Sequence, residues 1–140
     1  MNKINYAGKY IFLGGACTNT NWREEFKTLV SDRIFDPCKP DTEWDDNALN
    51  EERRIRRMDC THWVYVISSK NPGILGIAQM VEDLILHTAT TFVCFLEEEG
   101  TPWPDEMKQS IKGLEELARQ YTKYVYTDIR ELASAVEKAH

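Results

Sequence analysis

The sequence contains no apolar run long enough to cross a bilayer, and its first residues do not form an apolar signal segment. Internal repeats, low-complexity tracts and linkers are also missing. Its 140 residues are enough for one hydrophobic core and too few for two ordinary domains. We therefore expect a cytoplasmic protein with a single domain over residues 1–140 and no membrane partner.

Positive charge is also scarce, because 17 Lys and Arg face 23 Asp and Glu, for a net charge of −6. This balance argues against broad binding to nucleic acid, although a small anionic ligand could be held locally. The run EERRIRR over 51–57 is an exception, but it lacks interleaved aromatic residues. Glu52 and Arg56 have the i,i+4 spacing of a favourable pair, so we expect an exposed helix face or a subunit contact.

Patterns for metal hydrolysis or Ser/His/Asp catalysis are missing too. The cysteines show no CxxC spacing and no histidine at metal-ligand spacing, and the histidines have no sequence partners for a catalytic triad. We therefore expect no metal site. Without an export signal, the cysteines are predicted to be reduced thiols, with Cys94 packed inertly in an apolar strand. They are Cys17, Cys38, Cys60 and Cys94.

What the sequence does contain is five strand–helix units. The strands are predicted over 9–13, 33–36, 63–67, 90–96 and 123–126. Each is followed by apolar residues spaced three and four apart, as on one face of a helix. Such alternation predicts an α/β three-layer sandwich, in which a five-stranded parallel sheet carries helices on both faces. The expected strand order is the flavodoxin-like 2-1-3-4-5.

This order places the first and third strands side by side, at the point where the strand order reverses. Ligands of such sheets bind in the crevice outside the carboxyl ends of the strands at this point. The loops over 14–22 and 68–76 should therefore face each other. In the helix after the second of these loops, Gln79 lies within the first turns.

Three segments suggest a family: FLGGACTNTNWREEF, FDPCKPDTEW, and VYVIS followed by GILGIAQMV. In their order and spacing, over about residues 10–96, they resemble the nucleoside 2-deoxyribosyltransferase-like proteins, especially the small phage and bacterial branch. The resemblance implies the flavodoxin-like fold, homo-oligomers, and a reaction that needs no metal or redox cofactor. In that reaction a glutamate attacks C1′ of a deoxyribose and displaces the nucleobase, while a second acid protonates the base.

The resemblance places Gln79 where the catalytic glutamate is expected. An amide is neutral and a poor nucleophile, so transferase activity should be severely reduced. The chain is then a binding-only relative, or carries a glutamine introduced to trap a ligand, or uses Glu82 instead. The last alternative is the weakest, because one helical turn displaces the carboxylate by about 5 Å. Asp59 stands near the position of the family's acid, although the alignment can place Thr61 there.

The resemblance also implies residues that bind the substrate. Gly14 and Gly15 would let a sugar or phosphate approach the backbone, or they only form a strand-end turn. Trp22 is a ligand wall or core, and Arg23 pairs with Asp36 or with an anionic group of the substrate.

Further substrate-binding positions follow along the chain. Asp36 and Pro37 would contact a sugar hydroxyl or the base, or Asp36 accepts loop N–H bonds instead. Trp44 would stack on a base or cover the sheet edge. Ser68 would donate to a sugar hydroxyl, and Gly76 closes the loop after the third strand.

The resemblance therefore implies a protein that acts on the N-glycosidic bond of a small nucleoside or nucleotide, by transfer or hydrolysis, unless Gln79 makes it inactive. Two alternatives remain: a catalytically silent module that sequesters a nucleotide, and a flavodoxin-like protein-interaction domain.

Overall fold

The computed structural model of the chain describes residues 10–30, 33–38 and 45–139. Strands and α-helices alternate along these ranges, and a short 3₁₀ helix, Thr88–Thr90, precedes the fourth strand. The elements in chain order are β1 Tyr10–Gly14, α1 Trp22–Leu29, β2 Ile34–Phe35, α2 Asp46–Met58, β3 Cys60–Ser68, α3 Ile74–Leu86, β4 Thr91–Leu96, α4 Asp105–Tyr121, β5 Val125–Tyr126 and α5 Ile129–Ala139.

The five strands form one sheet in the order β2-β1-β3-β4-β5, and every neighbouring pair is parallel. The predicted three-layer class and the order 2-1-3-4-5 are confirmed. From β1 the chain crosses outward to β2 and then returns to the other side of β1 as β3. The strand order therefore reverses between β1 and β3, and Gly14, the last residue of β1, pairs with Tyr65 of β3.

Each face of the sheet packs against its own helices because side chains alternate along the strands. On β3, Trp63, Tyr65 and Ile67 point to a core completed by α2, α3 and α4. Val64 and Val66 point to the opposite core, which α1 and α5 complete. All five are buried, as expected for a central strand covered on both faces.

The strand boundaries differ from prediction mainly at β3, which was predicted over 63–67 and extends over Cys60–Ser68. Its first residues pair with β1 through the contact of Tyr10 with Cys60. Thr61 and His62 interrupt the apolar pattern there, although the backbone pairing continues through them. None of the helices in the described ranges combines the length and the apolar character that crossing a bilayer requires.

Candidate functional site

The loops after β1 and β3 meet at the carboxyl end of the sheet, as predicted. The Asn71 side-chain amide donates to the carbonyl oxygen of Thr18 at 3.1 Å and to its hydroxyl at 3.2 Å. Gly15 has a φ of 132°, a backbone conformation that favours glycine. A Cβ on Gly76 would lie 3.2 Å from the Gly15 Cα, so the start of α3 packs directly on the β1 loop.

A cavity of about 370 Å³ opens between these loops and α2. This volume falls in the range typical of small-molecule sites. We call it the switch-point cavity. Loop backbone and apolar side chains form most of its lining. The polar side chains in it are Asn71, Glu52 of α2 and Gln79 of α3. The lining residues are Phe12, Gly14, Gly15, Ala16, Cys17, Pro37, Leu49, Glu52, Asn71, Gly73, Ile74, Leu75, Gly76 and Gln79.

The cavity contains five of the residues that the sequence predicted for a site, which are Gly14, Gly15, Pro37, Gly76 and Gln79. The two glycines end β1, where Gly14 packs against the Tyr65 ring with no room for a side chain. Pro37 follows β2, the neighbour of β1 on its outer side. Parallel strands deliver their carboxyl ends to one edge of the sheet, so these distant segments converge.

Gln79 is joined across the cavity wall to Glu52 of α2. The Gln79 Nε2 donates to the Glu52 Oε1 at 2.7 Å. Glu52 is only 6% exposed, and no Lys or Arg of the described residues forms an ion pair with it. The cavity therefore holds a carboxylate after all, supplied by α2 rather than by position 79.

The sequence analysis did not identify Glu52 as a site residue. Its predicted pairing with Arg56 on an exposed helix face is wrong. Both side chains are buried. A signal was present, because Leu49, Glu52 and Ile55 recur at intervals of three, and Ile55 is in the core. That periodicity places Glu52 on the inward face of α2.

Arg56 instead anchors a buried polar network between α2 and α3. Its guanidinium donates to Asp83 at 3.0 Å and to Glu82 at 2.8 Å, and the Tyr65 hydroxyl also donates to Asp83. Burial raises the pKa of Asp83 despite these partners, and burial and the neighbouring Asp83 raise that of Tyr65. The network fixes the two helices that carry Glu52 and Gln79.

The predicted pair of Arg23 and Asp36 is present, but it lies beneath the cavity lining. Arg23 donates to Asp36 at 2.7 Å, to the Gly15 carbonyl at 2.7 Å and to the Leu13 carbonyl at 3.1 Å. Asp36 also accepts the Cys38 N–H at 2.9 Å. The pair therefore fastens the end of β1 to the end of β2, which is a positioning role rather than a ligand contact.

Of the two roles expected for Trp22, the structure shows the core one, and the predicted ligand contact of Ser68 is wrong. Trp22 is 3% exposed, packs in the core below Gly15 and is absent from the cavity lining. Ser68 is fully buried, donates to the Glu98 carboxylate and accepts the Lys70 N–H at 3.1 Å, so its hydroxyl is occupied away from the cavity. Trp44, predicted as a stacking surface, lies outside the described residues.

Neither predicted acid reaches the switch-point cavity. Asp59 is buried at the amino end of β3, where its carbonyl oxygen accepts the Tyr10 N–H at 3.2 Å, whereas the cavity opens at the carboxyl end of the sheet and its lining does not include Asp59. Its partner there is Arg54 at 3.2 Å. Thr61 shares that end of the strand. Glu82 faces away along α3, where hydrogen bonds from Arg56 and Arg57 hold it.

The prediction of four reduced thiols is wrong for one pair. Cys17 and Cys38 form a disulfide with a Cα–Cα distance of 5.4 Å, which links the β1 loop to the segment after β2. Cys60 and Cys94 are free and buried, and burial raises the pKa of each thiol to about 12. Cys94 therefore packs as an inert residue, as predicted.

Within the part of the chain that the structure describes, no three His, Cys, Asp or Glu side chains come together as a metal site would require. No protein-family model matches the sequence, and no curated protein matches it significantly.

Proposed function

We propose that this chain is a nucleoside 2-deoxyribosyltransferase-like protein that binds a nucleoside or nucleotide in the switch-point cavity. The observation that carries this proposal is the convergence of Gly14, Gly15, Pro37, Gly76 and Gln79 on one small-molecule-sized cavity. These are five of the positions that the resemblance assigns to substrate binding or catalysis. An interaction domain without a small ligand has no need for that convergence.

The hydrogen-bonding groups of the cavity wall suit the neutral part of such a ligand. A carboxylate only accepts hydrogen bonds, so the Gln79 amide nitrogen must face Glu52. The acceptors left over are the Gln79 Oε1 and the second carboxylate oxygen of Glu52. They favour ligand groups that donate, such as sugar hydroxyls or the amino group of a base.

As it stands, the chain is proposed to bind its ligand with little or no cleavage of the N-glycosidic bond. In the reaction that the resemblance implies, a carboxylate oxygen bonds to C1′ as the C1′–N bond breaks. The bond's electron pair goes to the base nitrogen, which takes a proton from a second acid, and water or another base then releases the sugar. Gln79 cannot perform the first step, and its hydrogen bond occupies Glu52.

The decisive experiment incubates the wild type and Gln79→Glu with 2′-deoxynucleosides and their 5′-monophosphates. Released base is measured chromatographically, and binding is measured by calorimetry. We expect binding by both proteins and base release by Gln79→Glu alone, with Gln79→Ala as the inactive control. Binding without release in either protein would favour the sequestering module. If neither binding nor release occurs, the protein-interaction domain becomes the better account.

Self-association is a further part of the proposal. Ile74 and Leu75 at the mouth of the cavity are 90% and 54% exposed, which is unusual for large apolar side chains in the first turn of a helix. Burying them against a second copy would cover the cavity mouth. Sedimentation of the wild type and of a double variant, Ile74→Lys with Leu75→Lys, tests this, and a wild-type monomer would rule it out.

A further inference from the structure

The Cys17–Cys38 disulfide lies at the edge of the switch-point cavity. Cys17 is one of the lining residues, and Cys38 directly follows Pro37, which is another. The bond therefore joins two walls of the cavity, the loop after β1 and the segment after β2. Cys17 is exposed and Cys38 is half-buried, so the bond is accessible to a thiolate from solvent.

Other contacts already bring these two walls together. β1 and β2 are neighbours in the sheet, and Arg23 fastens their ends by donating to Asp36 and to the Gly15 carbonyl, each at 2.7 Å. Apolar clusters also cover both faces of the sheet, whereas disulfides are most needed in domains whose core is too small. The distinctive effect of the disulfide therefore falls on the cavity.

The β1 loop is held on either side of Cys17 by hydrogen bonds. The Gly15 carbonyl is bound as described, and Thr18 accepts two hydrogen bonds from Asn71 of the β3 loop. Between these points, the disulfide ties the Cys17 side chain to the wall that contains Cys38. Opening the bond would loosen this wall of the cavity without releasing the loop as a whole.

From this placement we propose that the disulfide is a redox-active site, which accepts two electrons from an external dithiol and on reduction lowers the ligand affinity of the cavity. A thiolate of the dithiol attacks the Cys17 Sγ, the S–S bond breaks, and its electron pair goes to the Cys38 Sγ, which takes a proton. The second thiol of the dithiol, on losing its proton, closes the reductant's own disulfide, and Cys17 leaves as a thiolate that is protonated in turn. The effect on affinity rests on the proposed function.

The two free cysteines are poor competitors in this exchange. Cys60 and Cys94 are buried in the two cores, do not line the cavity, and have thiols whose pKa burial raises to about 12. Little thiolate forms on them at neutral pH, and only the thiolate is nucleophilic. Exchange is therefore confined to the Cys17–Cys38 pair.

The first test asks whether the bond opens in the folded protein. The full chain is treated with dithiothreitol, alkylated with iodoacetamide without denaturant, and examined by peptide mass spectrometry. Labels should appear on Cys17 and Cys38 and not on the buried Cys60 and Cys94. Cys17 in the variant Cys38→Ser should also be alkylated faster than Cys38 in Cys17→Ser, because Cys17 is more exposed. Labels on all four cysteines, or on none, would overturn the inference.

The second test measures binding of 2′-deoxynucleosides and their 5′-monophosphates by calorimetry, before and after reduction. The reduced wild type should bind about tenfold more weakly, because the loosened wall must be ordered again when the ligand binds. The matched control is the double variant Cys17→Ser with Cys38→Ser. It should bind as weakly as the reduced wild type, and dithiothreitol should not change its affinity. Circular dichroism checks that the reduced protein and the variant remain folded.

The outcomes separate this inference from the proposed function. Equal binding by the oxidised and reduced protein would make the disulfide a structural link only, so that the inference fails and the proposed function stands. A response of the double variant to dithiothreitol would place the effect elsewhere and would also overturn the inference. If neither redox state binds any of these compounds, the proposed function fails and the redox control of affinity fails with it.

Discussion

Replacing Gln79 by glutamate would put two carboxylates where one hydrogen bond now exists. The Gln79 nitrogen lies 2.7 Å from the Glu52 oxygen, and the new side chain has the same shape but can no longer donate when ionised. Two unit charges 4 Å apart repel by about 4 kcal/mol at an effective dielectric constant of 20. Since the cavity admits water, we expect a loss of about 2 kcal/mol in the free energy of unfolding at pH 7.

The sign of the pH dependence follows from linkage. Repulsion raises the pKa of one carboxyl in the folded state above its value in the unfolded chain. Below about pH 4 both states bind the proton and the penalty is absent. As the pH rises from the unfolded pKa towards the raised folded pKa, the variant should lose stability relative to the wild type.

Urea unfolding of wild type and Gln79→Glu at pH 4 and pH 7 measures this difference. The control is the double variant Glu52→Gln with Gln79→Glu, which exchanges the amide and the carboxylate and restores one donor and one acceptor. It should recover most of the stability at pH 7. An equal penalty at both pH values, or one that the exchange does not remove, would refute the assignment of these two side chains as partners.

Three further predictions concern the scaffold around the cavity. Replacing both Cys17 and Cys38 by serine should lower the free energy of unfolding by about 3 kcal/mol, because the disulfide closes a loop across a sequence separation of 21. Urea unfolding measures this loss. An unchanged free energy would mean that the disulfide does not form. Arg56→Ala should lower the free energy of unfolding by about 3–5 kcal/mol, because it removes the cation that pairs with Asp83, whose side chain is 2% exposed. A decrease below about 1 kcal/mol, as for a surface ion pair, would contradict the buried network. Burial alone would raise the pKa of Glu82, but hydrogen bonds and charges from two arginines bring it below its usual value. Glu82→Gln should therefore be less stable than wild type at pH 7, and this difference should disappear as the pH falls through the lowered pKa. A stability difference that does not change with pH would contradict this.

The fold could be predicted because each unit carries its own periodicity. Strands buried on both faces are continuous apolar runs, and their helices show spacings of three and four, so the alternation alone indicates a parallel sheet. Gly14, Gly15 and Pro37 of the site were predictable for the same reason. They lie at or just after the ends of β1 and β2, and the carboxyl ends of neighbouring parallel strands meet.

Most of the remaining site features depend on tertiary contacts. The spacing of Leu49, Glu52 and Ile55 places Glu52 on the inward face of α2, but its hydrogen bond with Gln79 depends on how α2 packs against α3. Ser68 is occupied by Glu98, 30 residues further along the chain. The partner of Cys17 is brought near only when β1 pairs with β2. Asp59 is different, because its place before the predicted third strand already put it at the amino end of the sheet, away from the loops of the site.

The most direct test of the central claim uses the backbone amides of the glycines as reporters. Gly14, Gly15, Gly73 and Gly76 line the switch-point cavity, whereas Gly100 and Gly113 lie in open surroundings away from it. In a ¹⁵N–¹H correlation spectrum recorded during titration with 2′-deoxynucleoside 5′-monophosphates, the four cavity signals should shift saturably while the other two stay fixed. If all six signals remain unchanged, or the shifts fall on the two distant glycines, the cavity does not bind nucleotides.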